Sequence, residues 1–133
     1  MHGFVMELKD IATFEDIQFL VNTFYEKVQQ DSLIGPIFNE KIQNNWPVHL
    51  EKMYRFWQTV LLDAHTYSGA PFAPHAFLPI DKEHFERWLQ LFKETISAHF
   101  EGEKANEALW RAERMAEMFQ HKLNYFRNHK PLQ

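Results

Sequence analysis

The 133-residue chain has no cysteine, four glycines and no long apolar run. Without cysteine, neither a disulfide framework nor a thiolate-held metal is available, and any iron is expected to be held by nitrogen or oxygen. No segment approaches the roughly 20 apolar residues that a membrane span needs, and residues 1–10 carry no apolar leader-like stretch. These absences predict a cytoplasmic protein with no membrane partner.

The chain also lacks a positive field. Its formal net charge is −4, and the aromatic residues are not interleaved with lysine and arginine, so no nucleic-acid partner is expected. Signals for β-strands are missing as well. Apolar and polar residues do not alternate with period two over any useful stretch of sequence, and no Asn-Gly dipeptide marks a hairpin. The sequence therefore predicts an all-α fold in one domain over residues 1–133.

Several kinds of catalytic or metal site have no motif in this chain. No glutamate is followed three positions later by histidine, as a carboxylate-bridged di-metal site in a four-helix bundle requires. The His-Glu-x-x-His zinc motif is absent. There is neither a nucleophile elbow nor a glycine-rich phosphate loop, so acyl transfer and phosphate binding have no sequence support.

Aromatic residues are what the chain has in abundance, at 16% of the sequence with thirteen phenylalanines. Such a share indicates either a bulky core or a pocket walled against a flat ligand, and composition alone leaves both open. Apolar residues recur at three- and four-residue steps along most of the chain, which is the period of an amphipathic helix. Four helices are predicted, over about 14–30, 46–62, 82–100 and 104–126, with Thr13 and Asp81 as caps and Pro47 in a first turn.

Between the second and third of these helices lies a proline-rich segment, residues 63–79, that supports only short helical pieces and contains His75. Four helices packed as two antiparallel pairs leave a slot for a flat cofactor. Haem needs an axial ligand, an apolar slot and a few hydrogen-bond donors facing the opposite side. The candidates are His75 for the ligand, then Phe38, Met53, Leu78, Phe85 and Phe92 for the slot, and Tyr25, His49 and Trp88 for the donors.

The order and spacing of these residues resemble the truncated haemoglobins, and specifically their third group. The blocks that carry the resemblance are Phe24-Tyr25, Gly35-Pro36-Ile37-Phe38, Trp46-x-x-His49-Leu50-x-x-Met53-x-x-Phe56-Trp57, Tyr67-x-Gly69-x-Pro71-x-x-x-His75-x-x-Leu78 and His84-Phe85-x-x-Trp88-Leu89-x-Leu91-Phe92. They cover roughly residues 20–95. Each block alone is weak evidence for the family, but all of them together, in this order and spacing, are strong evidence.

The resemblance implies a two-over-two helical sandwich that binds haem b, iron protoporphyrin IX. It implies that His75 is the proximal iron ligand, that Tyr25, His49 and Trp88 line the distal side, and that Phe38 packs against the haem face. His84 is a candidate neighbour of the haem edge. The expected ligands are the diatomic gases dioxygen, carbon monoxide and nitric oxide.

Three functional hypotheses follow. Two donors in an apolar cavity should hold a negatively polarised ligand and slow its release, which favours redox or detoxification chemistry, such as nitric oxide oxidation or peroxide reduction with a reductase partner, over bulk oxygen transport. The alternative is a non-catalytic module that binds or senses gas. A third interpretation is a helical interaction protein without a cofactor, whose aromatic residues form the core.

Overall fold

The computed structural model describes residues 7–67 and 79–128, and these ranges are dominated by helix. The helices are α1 (Phe14–Gln30), α2 (Gly35–Ile42), α3 (Trp46–Leu62), α4 (Lys82–His99) and α5 (Glu103–Asn128), with a short 3-10 turn, Gln43–Asn45, before α3. Extended pairing in the described ranges is limited to an isolated bridge between Lys9 and Phe100. None of the helices in these ranges combines the length and the apolar character needed to cross a membrane.

Helix α1 begins where the sequence predicts. The Thr13 hydroxyl accepts a hydrogen bond from the Asp16 amide at 3.2 Å, and the Asp16 carboxylate accepts one from the Thr13 amide at 3.0 Å. This reciprocal capping box satisfies amides that have no partner within the helix. One face of α1 is buried, including Ile17, Leu20 and Phe24, and each such side chain contributes on the order of 1.5–3 kcal/mol.

Helix α2 was not among the four helices that the sequence predicts. The Asp31 carboxylate accepts hydrogen bonds from the amides of Leu33 and Ile34, both at 3.0 Å, which folds the chain back after α1. Gly35 then passes so close to α1 that a Cβ there would lie 2.9 Å from the Gln29 carbonyl oxygen. With eight residues, α2 is too short to show clear apolar periodicity.

The long helices form two packed pairs, α1 with α3 and α4 with α5, and α1 also lies against α4. The predicted starts of α3 and α4 are confirmed, with Pro47 in the first turn of α3 and Asp81 at the N-cap of α4. Phe92 of α4 is 1% exposed and stacks between Trp57 of α3, at 5.2 Å, and Trp88 one turn earlier, at 5.7 Å. This aromatic stack joins the two pairs at the centre of the fold.

Two polar ties fix the ends of α5. At its start, the Asp10 carboxylate accepts hydrogen bonds from the Lys104 amide at 3.0 Å and the Ala105 amide at 2.9 Å. Near its end, Arg127 binds the Asp81 carboxylate at 3.0 Å and the Ile80 carbonyl at 2.8 Å. The N-terminal segment and the start of α4 are thus both anchored to the last helix.

Candidate functional site

A cavity of about 900 Å³ lies among the five helices. This volume falls within the roughly 300–1,000 Å³ that is usual for small-molecule and cofactor sites. All five helices contribute to its wall, and most of the wall is apolar. Among the described residues, the apolar lining consists of Ile34, Ile37, Phe38, Ile42, Val48, Met53, Phe56, Trp57, Ile80, Phe85, Trp88, Met115, Ala116 and Phe119.

Tyr25 brings a hydroxyl to this cavity from α1. Its side chain is 6% exposed, and its ring is surrounded by those of Phe24, Phe38 and Trp46 at centroid distances of 4.9–6.1 Å. Burial away from water raises the pKa of the Tyr25 phenol far above its ordinary value, because the charged form is disfavoured there. Tyr25 is therefore a neutral O–H group at physiological pH, able to donate a hydrogen bond into the cavity.

His49 lies across from Tyr25, on α3. The two rings meet edge to face with centroids 5.1 Å apart, and Trp46, one turn earlier on α3, contacts the His49 ring at 5.6 Å. His49 is half-buried and lines the cavity. The helical spacing of 46, 49 and 53 puts Trp46, His49 and Met53 on one face of α3.

Trp88 supplies the third predicted donor, from α4. Its indole lines the cavity, lies parallel to Phe92 with an interplanar angle of 8°, and meets Phe24 edge-on at 5.6 Å. Phe92 itself does not appear in the cavity wall among the described residues. It lies behind Trp88 in the core, where it packs against the indole and would not contact a bound group directly.

Three of the other predicted apolar residues are placed at the cavity. Phe38, Met53 and Phe85 all line it. Helix α5 also contributes to the cavity wall, through Met115, Ala116 and Phe119, which were not predicted as site residues. A signal for them existed, because these residues belong to the inward apolar stripe of the last helix, but nothing in that stripe distinguishes a cavity wall from ordinary core.

The cavity wall also includes cationic residues. Lys41, Lys52 and Arg55 line it, and the Arg55 guanidinium pairs with Glu51 at 2.8 Å. The amides of Thr66 and Tyr67 both donate to the Thr59 hydroxyl at 3.0 Å, which holds the chain against the end of α3. Cationic groups beside an apolar slot suit a ligand that is flat and apolar at one edge and acidic at another.

His75 and Leu78 lie outside the described residues. The described chain before them ends at Tyr67, which lines the cavity. After them it resumes at Pro79, and the next residue, Ile80, lines the cavity as well. The segment that carries the predicted iron ligand is thus connected at both sides to the cavity wall.

The chemistry of this residue set fits a haem. A large cavity with flat aromatic walls matches a macrocycle, hydrogen-bond donors at Tyr25 and Trp88 match a polar ligand, and cationic groups at Lys41 and Lys52 match carboxylates. Histidine is the residue type that holds haem iron in globins, and His75 in the connecting segment is the predicted ligand.

Comparison with known proteins points the same way. The model of the bacterial-like globin family matches residues 9–124. A group 3 truncated hemoglobin, ctb, from Campylobacter jejuni is 39% identical over 119 residues, which cover 86% of this chain and 94% of that protein. The crystal structure of a group III truncated hemoglobin from Campylobacter jejuni superposes with a TM-score of 0.80 at 37% identity, covering 88% of this chain and 95% of that one.

Proposed function

The chain belongs to the bacterial-like globin family, as a group III truncated haemoglobin, and we propose that His75 holds the iron of a haem b within the cavity. Haem-based binding of diatomic gases such as dioxygen is the general property of this family. When bound, haem supplies an iron that can bind such gases and take part in electron transfer. Residues 1–133 form one haem-binding domain in this proposal, acting in the cytoplasm.

The buried position of Tyr25 at the cavity wall supports this proposal most strongly. Its hydroxyl is a neutral donor held among aromatic rings at the cavity wall, and Trp88 presents an indole to the same cavity. Fixed donors in an apolar enclosure stabilise negative charge on a ligand more than donors in water do, because little solvent competes. We assign Tyr25 and Trp88 to hydrogen bonds with a negatively polarised diatomic ligand on the distal side.

His49 has a different part in the proposal. It is half-buried at the cavity wall, with its ring against Tyr25 and Trp46. Rotation about its side-chain bonds would move the imidazole between the cavity and its edge without moving α3. His49 therefore acts as the gate of the distal pocket, while Phe38, Met53, Leu78 and Phe85 pack against the macrocycle.

The two donors, Tyr25 and Trp88, favour one kind of physiological role. A ligand held by two hydrogen bonds leaves slowly, and slow release suits turnover of the ligand better than its transport. We infer that the protein carries out redox or detoxification chemistry on nitric oxide or peroxide, with electrons from a reductase. Tight gas binding without turnover would instead indicate a binding or sensing module.

An absorption spectrum of the purified protein, reduced, with and without carbon monoxide, tests the haem assignment. We expect a Soret band that shifts on carbon monoxide addition, which reports the cofactor and an accessible coordination position together. A colourless protein that takes up no added hemin would overturn the proposal. Steady-state consumption of nitric oxide or peroxide with a supplied reductant then separates an enzyme from a sensing module.

A further inference from the structure

His84 has a fixed hydrogen-bonding state that the proposed function does not use. It is the third residue of α4, and its Nδ1 atom accepts a hydrogen bond from the Asp81 amide at 2.9 Å. A backbone amide only donates, so Nδ1 carries its lone pair and the neutral ring carries its proton on Nε2. The capping bond therefore leaves His84 with one N–H group available as a donor.

The position of this ring is also fixed. Asp81, which binds His84 through its amide, is held in turn by Arg127, whose guanidinium donates to the Asp81 carboxylate at 3.0 Å and to the Ile80 carbonyl at 2.8 Å. His84 is thus attached to a backbone that α5 restrains. Little side-chain entropy remains to be lost when its Nε2–H group binds a further partner.

The surroundings of the ring indicate what such a partner would be. His84 is half-buried and lines the cavity. Within residues 7–67 and 79–128 its ring is hydrogen-bonded to the Asp81 amide through Nδ1, and its Nε2–H group has no acceptor there. Its neighbours in the cavity wall, Ile80, Phe85 and Phe119, are apolar. An acceptor that arrives with the ligand of the cavity would therefore complete the hydrogen bonding of this ring.

We propose that His84 is a cofactor-binding residue, whose Nε2–H group donates to a propionate carboxylate of the porphyrin. This inference rests on the proposed function, because haem is the group that brings the carboxylate. A hydrogen bond to an ionised acceptor beside an apolar wall is stronger than one between neutral groups. The same imidazole then joins the start of α4 to the cofactor.

Two substitutions at this position separate the capping role from the cofactor role. His84→Gln keeps an oxygen that accepts from the Asp81 amide and an amide group that donates, whereas His84→Glu keeps only the accepting oxygen. The measurement is the rate of haem loss to an excess of apomyoglobin at pH 7. We expect His84→Glu to lose haem about tenfold faster than the wild type, and His84→Gln to lie within about threefold of it.

A second cofactor and a control substitution sharpen this test. In iron protoporphyrin IX dimethyl ester the carboxylates are neutral esters, so the difference between His84→Glu and His84→Gln should shrink to about twofold or less. Lys82→Gln changes the net charge by the same amount at an exposed neighbouring site and should leave haem loss unchanged. Equal rates of haem loss for the two His84 variants would overturn the assignment. So would a difference between the two variants that is as large with the dimethyl ester as with haem. A wild type that binds neither cofactor would overturn the proposed function as well.

Discussion

The imidazole of His49 stands at 89° to the ring of Tyr25, with the two centroids 5.1 Å apart. These residues come from different helices, α1 and α3, and meet where both helices face the cavity. In the proposed function one is the donor and the other the gate of the same pocket. Their contact means that motion of the gate changes the surroundings of the donor.

Replacing Tyr25 by phenylalanine removes one hydroxyl and keeps the ring that packs against Phe24 and Phe38. Dioxygen dissociation should accelerate roughly 10- to 100-fold, since a hydrogen bond to a negatively polarised ligand is lost. Stopped-flow displacement by carbon monoxide measures this rate. Tyr54→Phe is the matched control, because Tyr54 binds Asn22 through its hydroxyl and does not line the cavity. Equal rates in the two variants would refute the role of Tyr25.

The raised pKa of Tyr25 predicts how this rate depends on pH. Burial disfavours the phenolate, so the hydroxyl keeps its proton through the range in which an ordinary tyrosine, with a pKa of 10.0, loses it. The dioxygen dissociation rate should therefore stay level between about pH 7 and pH 10. A rise in the rate with a midpoint near pH 10 that is absent in Tyr25→Phe would show that the phenol titrates normally.

Trp88→Phe tests the second donor, because it removes the indole N–H group while retaining an aromatic ring against Phe92 and Phe24. We expect dioxygen dissociation to accelerate roughly tenfold. The exposed Trp110, at 57% accessibility, gives the control Trp110→Phe. If both donors bind one ligand, the double variant with Tyr25→Phe should depart from the product of the single effects. Strictly independent effects would mean that the two groups do not share a ligand.

Phe92 should matter for stability more than for direct cofactor contact. It is 1% exposed and fills the space between two indoles, so Phe92→Ala should lower the free energy of unfolding by about 3–5 kcal/mol. Phe19→Ala, at a residue 47% exposed, should cost about 1 kcal/mol or less. Urea titrations at matched haem content compare them. Similar losses for both variants would contradict the central position of the Phe92 stack.

Asp10 links the N-terminal segment to α5, and its loss should weaken that link. Asp10→Ala should reduce the free energy of unfolding by about 1–2 kcal/mol at pH 7, whereas Glu7→Ala, at an exposed position, should change little. Circular dichroism during urea titration measures both changes.

The pH dependence of that loss has a definite sign. Burial tends to raise the pKa of Asp10, but the amides of Lys104, Ala105 and Ile11 outweigh burial and hold the pKa below its ordinary value of 3.8. The stabilisation is thus complete above that ordinary value and is lost as the pH falls through the lower, folded value. A gap between the wild type and Asp10→Ala that widened on acidification would contradict this assignment.

The predictions from sequence succeeded where a strong local signal existed. Helices α1 and α3 lie where the Thr13 cap, Pro47 and the apolar spacing placed them. Tyr25, His49 and Trp88 all line one cavity, and their role as donors stays a prediction. Helix α2 escaped prediction because it depends on the Asp31 turn and on the close approach of Gly35 to α1, which are tertiary features.

The position of Phe92 behind the cavity wall could not be predicted from its spacing in the sequence. A phenylalanine one turn after Trp88 shares its helix face, so spacing alone does not tell a cavity wall from the layer behind it. The α5 residues Met115 and Phe119 illustrate the converse, since their apolar stripe indicates core and part of it lines the cavity. Only packing against the other helices decides between the two positions.

The bond between His75 and a haem iron is the central claim, and chemical rescue of its loss tests it most directly. His75→Gly should purify with little or no Soret absorption, and imidazole supplied in solution together with hemin should restore the band. The same treatment of His121→Gly, which alters an exposed histidine of α5, should leave the wild-type spectrum intact. A His75→Gly protein that retains a wild-type spectrum without imidazole would show that another residue holds the iron.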